Sequence, residues 1–232
     1  MTRRTNPILL GAEAPRVLTV PMIAAALADR RRPMARGTLF RWIKAQTESS
    51  ALRSVTRGLY LNQLAQPLPN LSEAAGYVRS GAIDSLQTVL GEAGVTNNYP
   101  DIVTAVLPIF AHRSAHSSRS VVAPGAEFRF HAMPARLLDE RAGFPDDRLD
   151  ADSEYARATP EKALLDWIYL GNSRFTRLSG PPLDMDFSRV DSARLTRLAT
   201  RMNLKSELKS YLIRKRQHDR SPDVMANAPI AP

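Results

Sequence analysis

Met34-Ala35-Arg36-Gly37-Thr38-Leu39-Phe40-Arg41-Trp42-Ile43-Lys44-Ala45-Gln46-Thr47, with the hairpin-like Leu52-Arg53-Ser54-Val55 and Leu59-Tyr60-Leu61-Asn62 behind it, is the stretch that decides the fold. The first part has helical spacing. Leu39, Phe40 and Ile43 make an apolar face with Trp42 at its margin, and Gly37, Thr38, Arg41, Lys44 and Ala45 lie opposite. The two runs behind it read as short strands joined through Thr56-Arg57-Gly58, where Gly58 supplies the positive φ of a tight turn. Ahead of it, Pro21 stands at a first helical position, with Met22, Ile23, Ala26 and Leu27 at helical spacing. Arg30-Arg31-Arg32-Pro33 interrupts, because the residue before a proline avoids the α region. Helix, turn, helix and hairpin in that order predict a winged helix-turn-helix over residues 1–66, preceded by a flexible arm over residues 1–15.

The charge is distributed in blocks that follow this reading. Residues 1–66 hold 11 Lys/Arg against 3 Asp/Glu, a net of +8 in a chain of net +9. Residues 67–188 hold 11 against 16, and residues 189–220 return to 10 against 3. A compact cationic unit attracts a phosphate backbone, so double-stranded DNA is the expected partner of the first third. If the second helix enters a major groove, Arg41 and Lys44 donate to guanine O6 and N7, and Thr38 meets a thymine methyl or donates a hydrogen bond. Arg36, at the helix start, meets phosphate; Arg53, Thr56 and Arg57 on the hairpin meet backbone or the minor groove. Arg30, Arg31 and Arg32 grip an adjacent strand. One such module reads few base pairs, so two copies on an inverted repeat are expected, as monomers or as a dimer assisted by DNA.

Gln66-Pro67-Leu68-Pro69-Asn70 reads as an extended linker. Beyond it an α+β domain with a mixed α/β arrangement is expected over residues 67–218, and a disordered tail over 219–232. Helices are predicted at Leu71 to Arg79, capped by Asn70 or Ser72, and at Ile83 to Ala93. Strands follow at Ile102 to Ile109, Ser120 to Val122 and Glu127 to His131, the last with Phe128 and Phe130 on one face and Arg129 on the other. Pro160 to Leu170 reads as a helix buried against a sheet, capped by Thr159, with Asp166 on its flank and Gly171 as C-cap. Leu195, Leu198, Ala199 and Met202, then Leu204, Leu208, Tyr211 and Leu212, line two closing helices. Arg194, Arg197, Arg201 and Lys205 recur along one side of these as a possible second basic surface, for DNA or for an acidic partner.

Two stretches, and loosely a third, resemble a known family. Thr56-Arg57-Gly58-Leu59-Tyr60 resembles the "rGlY" wing of the AbiEi family of type IV (abortive-infection) antitoxins. Ala158-Thr159-Pro160-Glu161-Lys162-Ala163-Leu164-Leu165-Asp166 resembles that family's "a-PEkALlD" helix, and Tyr77 to Gly94, with Ser85-Leu86, is loosely similar to its "yisleSaL–hGl" stretch. The resemblance implies a winged-helix repressor that binds operator repeats of its own operon. It also implies a C-terminal antitoxin domain and functional pairing with a nucleotidyltransferase toxin.

Other chemistries are weaker on these residues. Asp184-Met185-Asp186 after Gly171-Asn172-Ser173 has the residue types of a nucleotidyltransferase, but Gly180-Pro181-Pro182 breaks the segment where a helix is needed. Asp184 and Asp186 read as loop polars. His112 and His116 are four apart in a serine-rich loop with no acid close by, so no metal is expected. The chain has no cysteine, which excludes disulfides and thiolate sites and fits a reducing, cytoplasmic setting. No apolar run approaches the ~20 residues that span a bilayer, so no membrane partner is expected. No cofactor motif is present and no enzyme is expected; a non-catalytic RNA-binding protein is the first alternative, against which stands the lack of paired exposed aromatics, and a nucleotidyltransferase using Asp184 and Asp186 is the second.

Overall fold

The structure, a computed structural model, describes residues 10–29, 35–97, 102–109, 119–123, 126–138, 155–174 and 176–221. Within them the chain is a mixed α+β protein with two sheets. It divides into two compact units, residues 1–80 with 121–127 and residues 81–120 with 128–232. Residues 67–80, expected in the second domain, therefore group with the first unit. Arg16 explains this: its guanidinium pairs with Glu73 at 2.5 Å and donates to the Leu68 carbonyl, tying the proline-rich segment back. Glu73 also closes a capping box with Asn70 at the start of a 3-10 turn, Leu71–Ala74, which runs into α3 (Ala75–Val78) in place of one continuous helix.

In the first unit, β1 (Val17–Thr19) leads directly into α1 (Val20–Asp29). Next come α2 (Arg36–Glu48), β2 (Leu52–Thr56) and β3 (Leu59–Asn62). The sheet order is β1-β3-β2, both pairings antiparallel. Residues 10–15, expected to be part of a flexible arm, are instead held: Ala14 is buried, and the Ala12 carbonyl accepts from the Gln66 backbone. Leu18, Ile23, Leu27, Leu39, Ile43 and Leu52 form one core, drawn from both helices and from the sheet.

The second unit places β4 (Ile83–Asp84) and then α4 (Leu86–Glu92) where a single helix was predicted. Strands β5 (Ile102–Ile109), β6 (Arg119–Ala123) and β7 (Ala126–Pro134) follow in chain order in a sheet of order β4-β5-β7-β6, with residues 121–127 among those grouped with the first unit. Phe128 and Phe130 are fully buried, and Arg129 between them is exposed, as strand alternation requires. Helix α5 (Pro160–Asn172) is the centre of this unit, buried along nearly its whole length among α4, α6 (Ser192–Arg201), α7 (Lys205–Asp219) and sheet residues Val106 and Met133. Thr159 caps it through the Lys162 backbone N–H, with Pro160 in its first turn. Gly171 lies inside this helix and is not its C-cap. A Cβ there would stand 2.6 Å from the Gly180 backbone, so the glycine serves a close approach of two chain segments.

One polar cluster crosses this apolar interior. Lys162 and Asp166, one helical turn apart on α5, pair with both side chains fully buried. Ser85, also buried, donates to the other Asp166 oxygen at 2.7 Å, and Thr104 of β5 donates to the Ser85 carbonyl at 2.8 Å. Asp166, expected on the flank of its helix, thus joins α5 to the start of α4. Removing one member of a buried pair strands the other charge, at roughly 3–5 kcal/mol. Asp166→Ala is accordingly expected to lower the unfolding free energy by about that amount in urea titration. A loss below about 1 kcal/mol, the scale of an exposed pair, would contradict this role.

Candidate nucleic-acid interface

Helix α2 is the element that presents charge. At ~100° of rotation per residue, Leu39 and Ile43 fall on one side and bury, with Gln46 and Thr47 half-buried beside them. Thr38, Arg41 and Lys44 follow at i, i+3 and i+6 and span an arc of ~120° on the other side, all three exposed. Arg41 donates weakly to the Thr38 hydroxyl at 3.4 Å, and Lys44 faces Glu48 at 3.7 Å with both side chains well exposed. Surface contacts of this kind contribute little and are readily exchanged for a partner's acceptors.

The apolar face is arranged differently from the expectation. Phe40, expected in the core, is 45% exposed, whereas Trp42, expected at the margin, is half-buried and packs against the core. The reason is angular. Trp42 lies on the side of Leu39, whereas Phe40 falls between Arg36 and Lys44. The Arg36 guanidinium sits over the Phe40 ring at 5.9 Å, a cation–π contact one helical turn long. Phe40 therefore joins the candidate interface, and its position between two basic residues one turn away is the sequence signal that marks it.

The electrostatics of α2 run against its own dipole. Its first turn holds Arg36 and no acid, its N-cap Ala35 offers no side-chain hydrogen bond, and Glu48 ends it. Anions belong at a helix N-terminus and cations at its C-terminus, so this order is unfavourable for the isolated helix by some tenths of a kcal/mol and favourable beside a phosphate.

The hairpin supplies the second part. Its turn is Arg57-Gly58, with Gly58 at φ +83° and the Gly58 carbonyl bonded to the Val20 N–H, which ties the tip to the start of α1. A bulge between Ser54 and Thr56 adds local twist. Arg53 and Arg57 are exposed and Thr56 is half-buried. Arg30, Arg31 and Arg32 lie outside the described residues, as do His112 and His116.

The other candidate residues fall elsewhere. Arg194 is half-exposed and faces the buried carboxylate of Glu161 at 3.8 Å. Arg197, Arg201 and Lys205 are exposed. The stripe passes from α6, which carries Arg194, Arg197 and Arg201, to Lys205 at the start of α7, with Asn203 between the two helices at a φ of 58°. Asp184 and Asp186 are both exposed. The Asp186 carboxylate accepts from the Ser188 hydroxyl and backbone N–H, and those bonds hold its pKa below the usual value; it caps the 3-10 turn Phe187–Arg189. Among the described residues no cluster of His, Asp and Glu is arranged to hold a metal ion, and no helix is long and apolar enough to cross a membrane.

Gly37 has no internal reason to be glycine. It lies in the exposed first turn of α2, and a Cβ there would meet nothing within 4 Å. Gly37→Ala is expected to raise stability by about 0.5–1 kcal/mol in thermal or urea unfolding, since glycine costs that much in a helix. A destabilised variant would show that the residue has a role within the fold.

No protein-family model matches the chain, and no match is found among curated proteins. Among solved structures it is similar to the RV2827C protein from Mycobacterium tuberculosis. That likeness covers 80% of this chain and 67% of the other, with 15% sequence identity and a TM-score of 0.45.

Proposed function

We propose that this chain is a sequence-specific double-stranded-DNA-binding repressor in which the first unit acts as a winged helix, with α2 as the reading helix and the β2–β3 hairpin as the wing. The observation that carries the reading is the outward arc of Thr38, Arg41 and Lys44 on a helix whose opposite side is locked into a core. The order strand, helix, helix, hairpin and the sheet order β1-β3-β2 support it. Arg41 and Lys44 donate to guanine edges, Thr38 and Phe40 contact thymine methyls, and Arg36 lies against phosphate at the helix start. Arg53 and Arg57 grip the flanking backbone, with Arg30, Arg31 and Arg32 adding phosphate contacts. The resemblance to AbiEi antitoxins extends the proposal: the chain represses its own operon through inverted repeats and counters a nucleotidyltransferase toxin, and the second unit belongs to that role.

Gel shifts with duplex DNA from upstream of its own gene test the binding. If six to eight of these side chains neutralise phosphates, log affinity falls against log salt with a slope of roughly −5 to −7. Arg41→Ala is expected to erode discrimination between operator and unrelated duplex by about 1–3 kcal/mol. Arg57→Ala is expected to weaken all duplexes alike and to make the slope shallower by about one. Structured RNA that competes equally with operator DNA at the same salt would contradict the reading and favour an RNA-binding protein.

A further inference from the structure

A cavity of about 330 Å³ opens in the second unit, among the start of α4, strands β5 and β7, helix α5 and the loop that follows it. Leu86 and Trp167 give it apolar walls, and Gln87, His131, Arg129 and Arg177 give it polar ones. No carboxylate lines it among the described residues. His131 is almost fully buried, and its Nδ1 has no hydrogen-bond partner among the described residues, which is uncommon for a buried polar atom in a well-formed interior. Burial, and then the charge of Arg129, push its pKa down to about 4, so the ring is neutral near pH 7 and offers one donor and one acceptor. Arg129 and Arg177 are exposed at the rim.

The walls are held rigidly. Leu86 takes a φ of 59°, a left-handed conformation that a branched residue adopts only when its surroundings enforce it. The enforcing contacts are those of Ser85, whose hydroxyl is bonded to Asp166 and whose carbonyl is bonded to Thr104. Trp167 follows Asp166 directly, and its indole N–H is fixed on the Ser179 carbonyl at 2.8 Å. The buried Lys162–Asp166–Ser85 cluster therefore sets two walls of the cavity. Pre-formed walls with a few converging polar groups describe a ligand site, and this volume lies at the lower end of the range of about 300–1,000 Å³ for such sites.

We propose that this cavity binds a small phosphorylated ligand of mononucleotide size, with the phosphoryl group on Arg129 and Arg177, the body against Trp167 and Leu86, and His131 bonded to it. Two guanidinium groups at one opening favour an anion, and the planar fork of arginine matches phosphoryl oxygens. The site does not depend on the DNA reading, because all its residues belong to the second unit.

Calorimetric titration of the full chain with inorganic phosphate, adenosine 5′-monophosphate, adenosine and succinate tests the proposal, with the His131 ring resonances followed by NMR. Both phosphorylated probes are expected to bind, the monophosphate more tightly, and to shift the His131 resonances; adenosine and succinate are expected to bind at least about tenfold more weakly. Arg129→Gln with Arg177→Gln is expected to weaken the monophosphate by about tenfold or more while leaving far-UV circular dichroism unchanged. Arg177→Gln alone, at an exposed loop position, gives the same reading if the double variant does not fold. The proposal is overturned if neither phosphorylated probe binds at millimolar concentration, or if succinate matches the monophosphate. Binding that leaves the His131 resonances unmoved or persists in the arginine variants also overturns it, since it would then occur on another cationic surface.

Discussion

The burial of Leu39 and Ile43 sets the rotation of α2, and with it which side chains of the first unit meet solvent. Burying one such side chain contributes about 1.5–3 kcal/mol, whereas the exposed Lys44–Glu48 pair contributes a few tenths. Packing therefore decides the orientation, and the charges follow it. Three features that local stability would not choose then coincide on the solvent side: an exposed Phe40, a glycine in the first turn with open space around it, and a basic residue at the positive helix end. Such departures from local rules are what the proposed DNA contact would account for.

The second unit is built on a different constraint. Its centre, α5, is buried almost all round, and a salt bridge within that helix is completed by a serine at the start of another. Ser85 and the pair Lys162 and Asp166 come from stretches about 80 residues apart and meet at this point. A buried ion pair is weak as a source of stability, but it fixes geometry strongly once its remaining hydrogen bonds are satisfied. Here the geometry it fixes is that of Leu86 and Trp167, so the polar cluster reads as a positioning device for the cavity wall.

How far the sequence could be read follows from the length of its patterns. Helix α2, the β2–β3 hairpin, β5 and α5 carry patterns of several residues each, and their bounds lie within a residue or two of the expectation. Strands β1 and β4, of three and two residues, are too short to show alternation; pairing partners far along the chain create them. Phe40 and Trp42 were exchanged because both lie near the edge of the apolar arc, where hydrophobicity alone gives no preference. The role of Asp166 was hidden for another reason: its partner Ser85 lies 81 residues away, and nothing local announces that contact. Gly171 resembled a C-cap because the approach of Gly180 is likewise a tertiary fact.

The central claim is that the α2 face lies against duplex DNA. Site-specific replacement of Phe40 by the photo-crosslinker p-benzoylphenylalanine tests it directly, with the same replacement at Tyr77, another exposed aromatic of the first unit, as the comparison. The account predicts an ultraviolet-dependent adduct to operator duplex from position 40 and none from position 77. An adduct from position 77 with none from position 40 would contradict it.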